Sequence, residues 1–174
     1  MLSDEPEPLP GAKSRESKCR YESELNEHIA REFQAYLQYY QLAADLARLD
    51  SPCSSSAPFF LRLADSTRVD IGLAVDVLLA QGGSLRLQQL AKPCSNLAAD
   101  ELGGVSLRAA LEACLQLEDS KERQGFHEFA RATGDVEVQK LADRLLLDSR
   151  RLHQFLTRRL SSDAPCSYIS QELP

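Results

Sequence analysis

Hydrophobic residues recur along this chain at three- and four-residue steps in four long runs, with polar or proline-rich stretches between them. From Glu22 to Ala47 the apolar positions Ile29, Phe33, Tyr36, Leu37, Tyr40 and Ala44 form a stripe that predicts a long core-facing helix. The stretch LDSPCSSSAP ends it with prolines and serines. A second helix is predicted from Pro58 to Ala80, with Leu61, Ala64, Ile71, Ala74, Val75 and Leu78 on one face. Gln81-Gly82-Gly83 stops it, because glycine tolerates a left-handed cap.

Residues 84–104 carry no sustained period and read as a long connection. Ser106 can cap a third helix running to Thr133, with Leu107, Ala110, Leu111, Cys114, Leu117 and Phe126 as its buried stripe. After a turn at Gly134-Asp135, Val138, Leu141, Leu145, Leu152 and Leu156 mark a fourth helix from Val136 to Leu160. Long helices with short first and last joins and a long middle crossover predict an all-α four-helix bundle over residues 21–161. Residues 1–20, proline-rich and without apolar period, are expected to be a flexible N-terminal arm, and 162–174 a polar C-terminal tail.

Composition adds exclusions. A net charge of −6 without a Lys/Arg block argues against nucleic acid as a partner. No apolar run is long enough to span a membrane, and the acidic, proline-rich start is unlike a signal peptide. Cys19, Cys53, Cys94, Cys114 and Cys166 form no CxxC pair and leave one odd, which suggests reduced thiols and a cytoplasmic location.

Three strings carry a family likeness: Glu32-Phe-Gln-Ala-Tyr-Leu-Gln-Tyr39 on helix one, Gln81-Gly82-Gly83-Ser-Leu-Arg-Leu-Gln-Gln-Leu-Ala-Lys92-Pro93 after helix two, and Leu115-Gln-Leu-Glu118 on helix three. On these residues the chain resembles ferritin. The resemblance implies a ferritin-like bundle whose long connection crosses between helices two and three. It also implies homo- or hetero-oligomers with other ferritin subunits, up to a shell of about 24 subunits, and iron as the metal handled.

Working ferritin subunits oxidise Fe(II) at a di-iron centre inside the bundle, where carboxylates supply hard oxygen ligands. Matched to that pattern, Glu32 and Glu118 correspond to ligand glutamates, and Tyr39 to the tyrosine beside the irons. Helix two departs from it: Ser66, Thr67 and Asp70 stand where two glutamates and a histidine would be. The glutamine position of the last helix falls on Arg150. The resemblance is therefore to a light-type or divergent subunit, with Glu32, Asp70 and Glu118 as a degenerate metal site.

One reading of these acids is a buried polar network neutralised by Arg150 or Arg68. Another is a divergent ferroxidase using Glu32, Asp70 and Glu118. A third is a structural or interaction protein that has left iron chemistry. Asp65 and Asp70 are the only acids on the middle of helix two, with Arg62 and Arg68 beside them, so mineral nucleation is in question. His28, His127 and His153 stand in no Glu-x-x-His frame and are expected to be ordinary core or surface histidines. At the family's three-fold entry channel the matching positions are Lys140 and Asp143, a lysine ring that would repel Fe(II).

Overall fold

The computed structural model describes the backbone of residues 10–48, 52–86, 106–118 and 121–161, and the side chains of 20–48, 54–86, 106–118 and 125–161. The connection 87–105, the tail 162–174 and the side chains of all the cysteines but Cys114 lie outside that description.

The chain is all-α, and no strand occurs among the described residues. Its helices are α1 (Pro10–Ala47), α2 (Ala57–Ala80), α3 (Leu107–Leu117), α4 (Lys121–Thr133) and α5 (Val136–Leu160), with a short 3-10 turn, Pro52–Ser56, leading into α2. No helix among them is long and apolar enough to cross a membrane. α1 lies along α2, α3 and α4 lie on α5, and α2 also meets α5.

The first helix begins earlier than the pattern suggests, within the expected arm. α1 starts at Pro10, a residue suited to a first helical turn, so residues 10–20 are helix and only 1–9 fall outside the description. Apolar periodicity misplaces this boundary because it registers where a helix meets a core, not where helical backbone begins.

The core face of α1 also differs from the expected stripe. Among the buried positions Leu25, His28, Glu32, Ala35, Tyr39, Leu42 and Leu46 follow a seven-residue repeat of the kind that packs one helix against others, with Ile29 buried beside it. Leu37, Tyr40 and Ala44 are exposed, and Phe33 and Tyr36 are half-buried. Phe33, Tyr36 and Tyr40 of EFQAYLQYY form the more apolar stripe, with the Tyr36 and Tyr40 rings 5.4 Å apart. The packed face instead admits a glutamate and a histidine, which periodicity scores against.

α2 buries Phe59, Phe60, Leu63, Ala64, Thr67, Ala74 and Leu78, while the expected Leu61 is exposed. Its stop matches expectation: Gly82 sits at φ +67°, and a Cβ added at Gly83 would lie 2.5 Å from Leu78 Cδ1. Just beyond, Asn26 ties the exit of α2 to α1. Its amide donates to Ser84 O at 2.9 Å, and its Oδ1 accepts from Arg86 N at 2.7 Å. The Ser84 hydroxyl donates to Glu22 Oε1 at 2.7 Å, which, with Arg86 adding to it, holds that carboxyl below its usual range.

The predicted third helix is two. α3 ends at Leu117 with Glu118 as its C-cap, and α4 begins at Lys121. Between Leu117 and Phe126 the sequence EDSKERQG contains no apolar residue, so the apolar stripe that would favour a continuous helix is interrupted there. The predicted cap forms, with Ser106 Oγ accepting from Ala109 N at 3.1 Å, and Asp135, expected only as part of a turn, also caps α5 by accepting from Glu137 N and Val138 N. Gly134 turns the chain with φ +69°. On α5 the expected Val138, Leu141, Leu145 and Leu156 are buried, and Leu152 is half-buried.

The interior holds two apolar clusters. One gathers Tyr39, Leu42 and Leu46 with Phe59, Phe60, Leu63, Leu107, Leu111, Cys114 and Leu156. The other gathers Leu25 and Ile29 with Ala74, Leu78, Phe126, Ala130, Val138 and Leu145. Each chain segment that crosses from one to the other places a polar residue at the junction: Glu32 on α1, Thr67 on α2, Glu118 at the end of α3, and Ser149 on α5. All four are buried.

Candidate functional site

This polar layer is where the sequence-matched positions meet. Glu118, 2% exposed, accepts from the Tyr39 hydroxyl on Oε1 at 2.5 Å and from the Ser149 hydroxyl on Oε2 at 2.9 Å. Three separate segments are thereby joined through one carboxylate, whose hydrogen bonds offset the cost of removing it from water. Thr67 turns its hydroxyl back onto its own helix, donating to Leu63 O at 2.9 Å. Below them Cys114 is buried and unbridged, its thiol pushed well above its usual pKa by burial and then by the Glu118 charge.

A cavity of about 210 Å³ opens over this group. Its floor is Tyr39, Thr67, Glu118 and Ser149, all buried, and its rim includes Arg62, Ser66, Asp148 and Arg151. Asp70 stands on its wall, with Oδ1 3.8 Å from Arg144. Of the residues singled out from sequence, Tyr39, Ser66, Thr67, Asp70 and Glu118 therefore share one cavity.

Glu32 and Arg150 do not. Glu32, 3% exposed, lies one helical turn from His28, with Nε2 and Oε1 3.9 Å apart. His28 is equally buried and stacks on Phe126, the ring centroids 4.3 Å apart and the planes 6° from parallel.

Arg150 is a correction. It is exposed, and Ser149, one position earlier, is the residue of α5 that reaches Glu118. The reason is helical phase: Leu145, Ser149, Leu152 and Leu156 follow one stripe, and residue 150 falls off it. Arg68, the other proposed neutraliser, points outward and pairs with Asp65 at 3.6 Å. The cations that do line the cavity are Arg62 and Arg151.

The remaining candidates are peripheral. Lys140 pairs with Glu137 on its own helix at 2.8 Å, and Asp143 binds His127 Nε2 at 2.8 Å, linking α5 to α4. His153 is half-buried on α5.

These side chains fit a di-iron centre poorly. Such a site asks for several carboxylate or imidazole ligands around two ions, and no group of three His, Cys, Asp or Glu side chains suited to a metal occurs among the described residues. Glu118 has both oxygens engaged by hydroxyls, and Asp70 lies against a guanidinium. Compared with protein-family models and with curated proteins, the chain matches none.

Sequence reading missed Ser149 and Asn26, and left open whether His28, here buried, is a core or a surface histidine. Ser149 was legible as the polar interruption of the Leu145–Leu152 stripe. His28 was legible by carrying alternating three- and four-residue steps through Glu32 and Tyr39 along α1, which also give Leu25, Ala35, Leu42 and Leu46. Asn26 had no local signal, since its partners lie about sixty positions away.

Proposed function

We propose that the chain is a ferritin-like iron-storage subunit without a ferroxidase centre of its own. In this reading it keeps the four-helix bundle with a long crossover and joins a shell with other ferritin subunits. It contributes ferric-iron storage there, while partner subunits carry out oxidation.

The observation that carries the reading is the Tyr39–Glu118 hydrogen bond across 79 positions, with Ser66, Thr67 and Asp70 around the same cavity. Tyr39 and Glu118, from two of the three matched strings, meet in the interior beside the α2 positions that correspond to the family's missing ligands, which supports descent from an iron site. The chemistry found there supports loss of oxidation: one carboxylate is satisfied by hydroxyls, and arginines stand at the rim.

Two measurements test the reading. Light scattering on the protein, alone and after co-refolding with an active ferritin subunit, should give a shell far larger than the 19.3 kDa monomer in at least one case. Mixing the pure protein with Fe(II) in air should give ferric absorbance no faster than buffer alone. Rapid stoichiometric oxidation by the pure protein would overturn the loss of the centre. A monomer or dimer under both conditions would overturn the shell.

A further inference from the structure

The end of α5 joins a sequence signature to an accessible hydroxyl. Residues 158–161 read Arg-Arg-Leu-Ser, and Ser161 is the only serine or threonine of the chain with arginine both two and three positions before it. Ser161 is also the C-cap of α5. Its N–H donates to Thr157 O at 3.1 Å, and its hydroxyl donates to the same oxygen at 2.9 Å. Thr157, Arg158 and Ser161 are exposed. Arg159 lies over the Phe155 ring, 5.7 Å from its centre, and Leu160 is half-buried against the apolar cluster.

An arginine pair ahead of a serine suits basophilic protein kinases, whose acidic clefts take up guanidinium forks. Such a cleft holds its substrate extended, so the last turn of α5 has to open first. That opening gives up the two bonds to Thr157 O and the contacts of Arg159 and Leu160. Helix ends open at far less cost than helix middles. Ser23 shows the contrast: Arg20 stands three positions before it, but it lies inside α1, next to the buried Leu25.

We propose that Ser161 is a phosphorylation site for a basophilic serine/threonine kinase, and that the phosphate holds the last turn of α5 open. In the step, Ser161 Oγ bonds to the γ-phosphorus of MgATP and the bond from that phosphorus to the β-phosphate oxygen breaks. ADP leaves, and the hydroxyl proton passes to the base of the kinase. The phosphoserine no longer has the proton that bonded Thr157 O. It also sets a charge of about −1.5 to −2 beside the carbonyls at the negative end of the helix. An exposed pair with Arg158 returns only part of this, since surface ion pairs are weak. The modification needs neither iron nor a shell, so it stands or falls separately from the storage reading.

The test is incubation of the full chain with MgATP and the catalytic subunit of a cyclic-AMP-dependent protein kinase, read by intact mass and fragment mapping. One phosphate per chain should appear on Ser161, at a rate about tenfold or more above that of Arg158→Gln. Ser161→Ala should take up none. Both replaced side chains are exposed, so the helical circular dichroism of each variant should match wild type. In the phosphorylated protein the amides of residues 157–161 should exchange hydrogen about tenfold faster than before modification. The proposal is overturned if no phosphate is incorporated, or if it is found on Ser162 or another hydroxyl instead. It is also overturned if Arg158→Gln is modified as fast as wild type, or if exchange at the end of α5 is unchanged.

Discussion

Along α1 the same helical face serves two regions that differ in kind. Toward one end Leu42 and Leu46 enter a cluster with Phe59, Phe60, Leu107 and Leu156, where burial is the whole interaction. One to two heptads earlier, in equivalent positions, Glu32 and Tyr39 enter a layer shared with Thr67, Glu118 and Ser149. The apolar cluster tolerates any arrangement that fills its volume. The layer requires particular partners, because a buried carboxylate or hydroxyl left unsatisfied costs more than its hydrogen bond contributes. Stability should therefore reside in the cluster, and fixed alignment of the segments in the layer.

The largest effect is expected in the cluster. Phe60→Ala, at a fully buried ring packed edge-on to Phe59 at 5.1 Å, should lower unfolding free energy by about 3–5 kcal/mol in urea titration. A loss below about 1 kcal/mol would mean that this half of the core is not closed. Next comes Glu118→Ala, which strands the Tyr39 and Ser149 hydroxyls and opens a void. It should cost roughly 2–4 kcal/mol. If the layer is a closed network, Tyr39→Phe and Ser149→Ala should each cost about 1–2 kcal/mol. Their double mutant should also depart from additivity, since both donate to one carboxylate.

The smallest effect separates two tyrosines. Tyr39 has its hydroxyl on Glu118, whereas Tyr21 has a buried hydroxyl with no hydrogen-bond partner among the described residues. Tyr21→Phe should therefore leave stability unchanged or slightly raised. Burial, followed by the charge of Asp135, pushes the Tyr21 phenol from 10.0 to about 12. Because the folded form holds its proton longer, its contribution is intact below pH 10 and is lost as the pH rises toward 12. Tyr21→Phe should flatten that alkaline decline, as read by thermal unfolding against pH; an unchanged slope would place the alkaline loss elsewhere.

The all-α class and several helix boundaries were legible because caps and glycines act locally: Gly82 and Gly134 at ends, and Ser106 at a start, do what their residue types suggest. The core face of α1 was not, since its aromatic residues point the periodicity toward Tyr36 and Tyr40 while the packed face carries Glu32 and His28. The break before α4 could be read only by treating the polar run EDSKERQG as an end to the helix rather than as its exposed side. At the site, Tyr39, Asp70 and Glu118 were found through spacing and resemblance, but the α5 partner was set one residue too far. A register carried across a shortened turn is fixed by the helical phase of Leu145 and Leu156, and that phase selects Ser149 over Arg150.

The account rests on Glu118 being the hub of a hydrogen-bonded layer and not a metal ligand. Thermal unfolding under argon, with and without excess Fe(II), tests this most directly, because any ion that binds the folded protein raises its melting temperature. The layer predicts the same Tm for wild type with and without Fe(II). A rise in wild type that disappears in Glu118→Gln would contradict it.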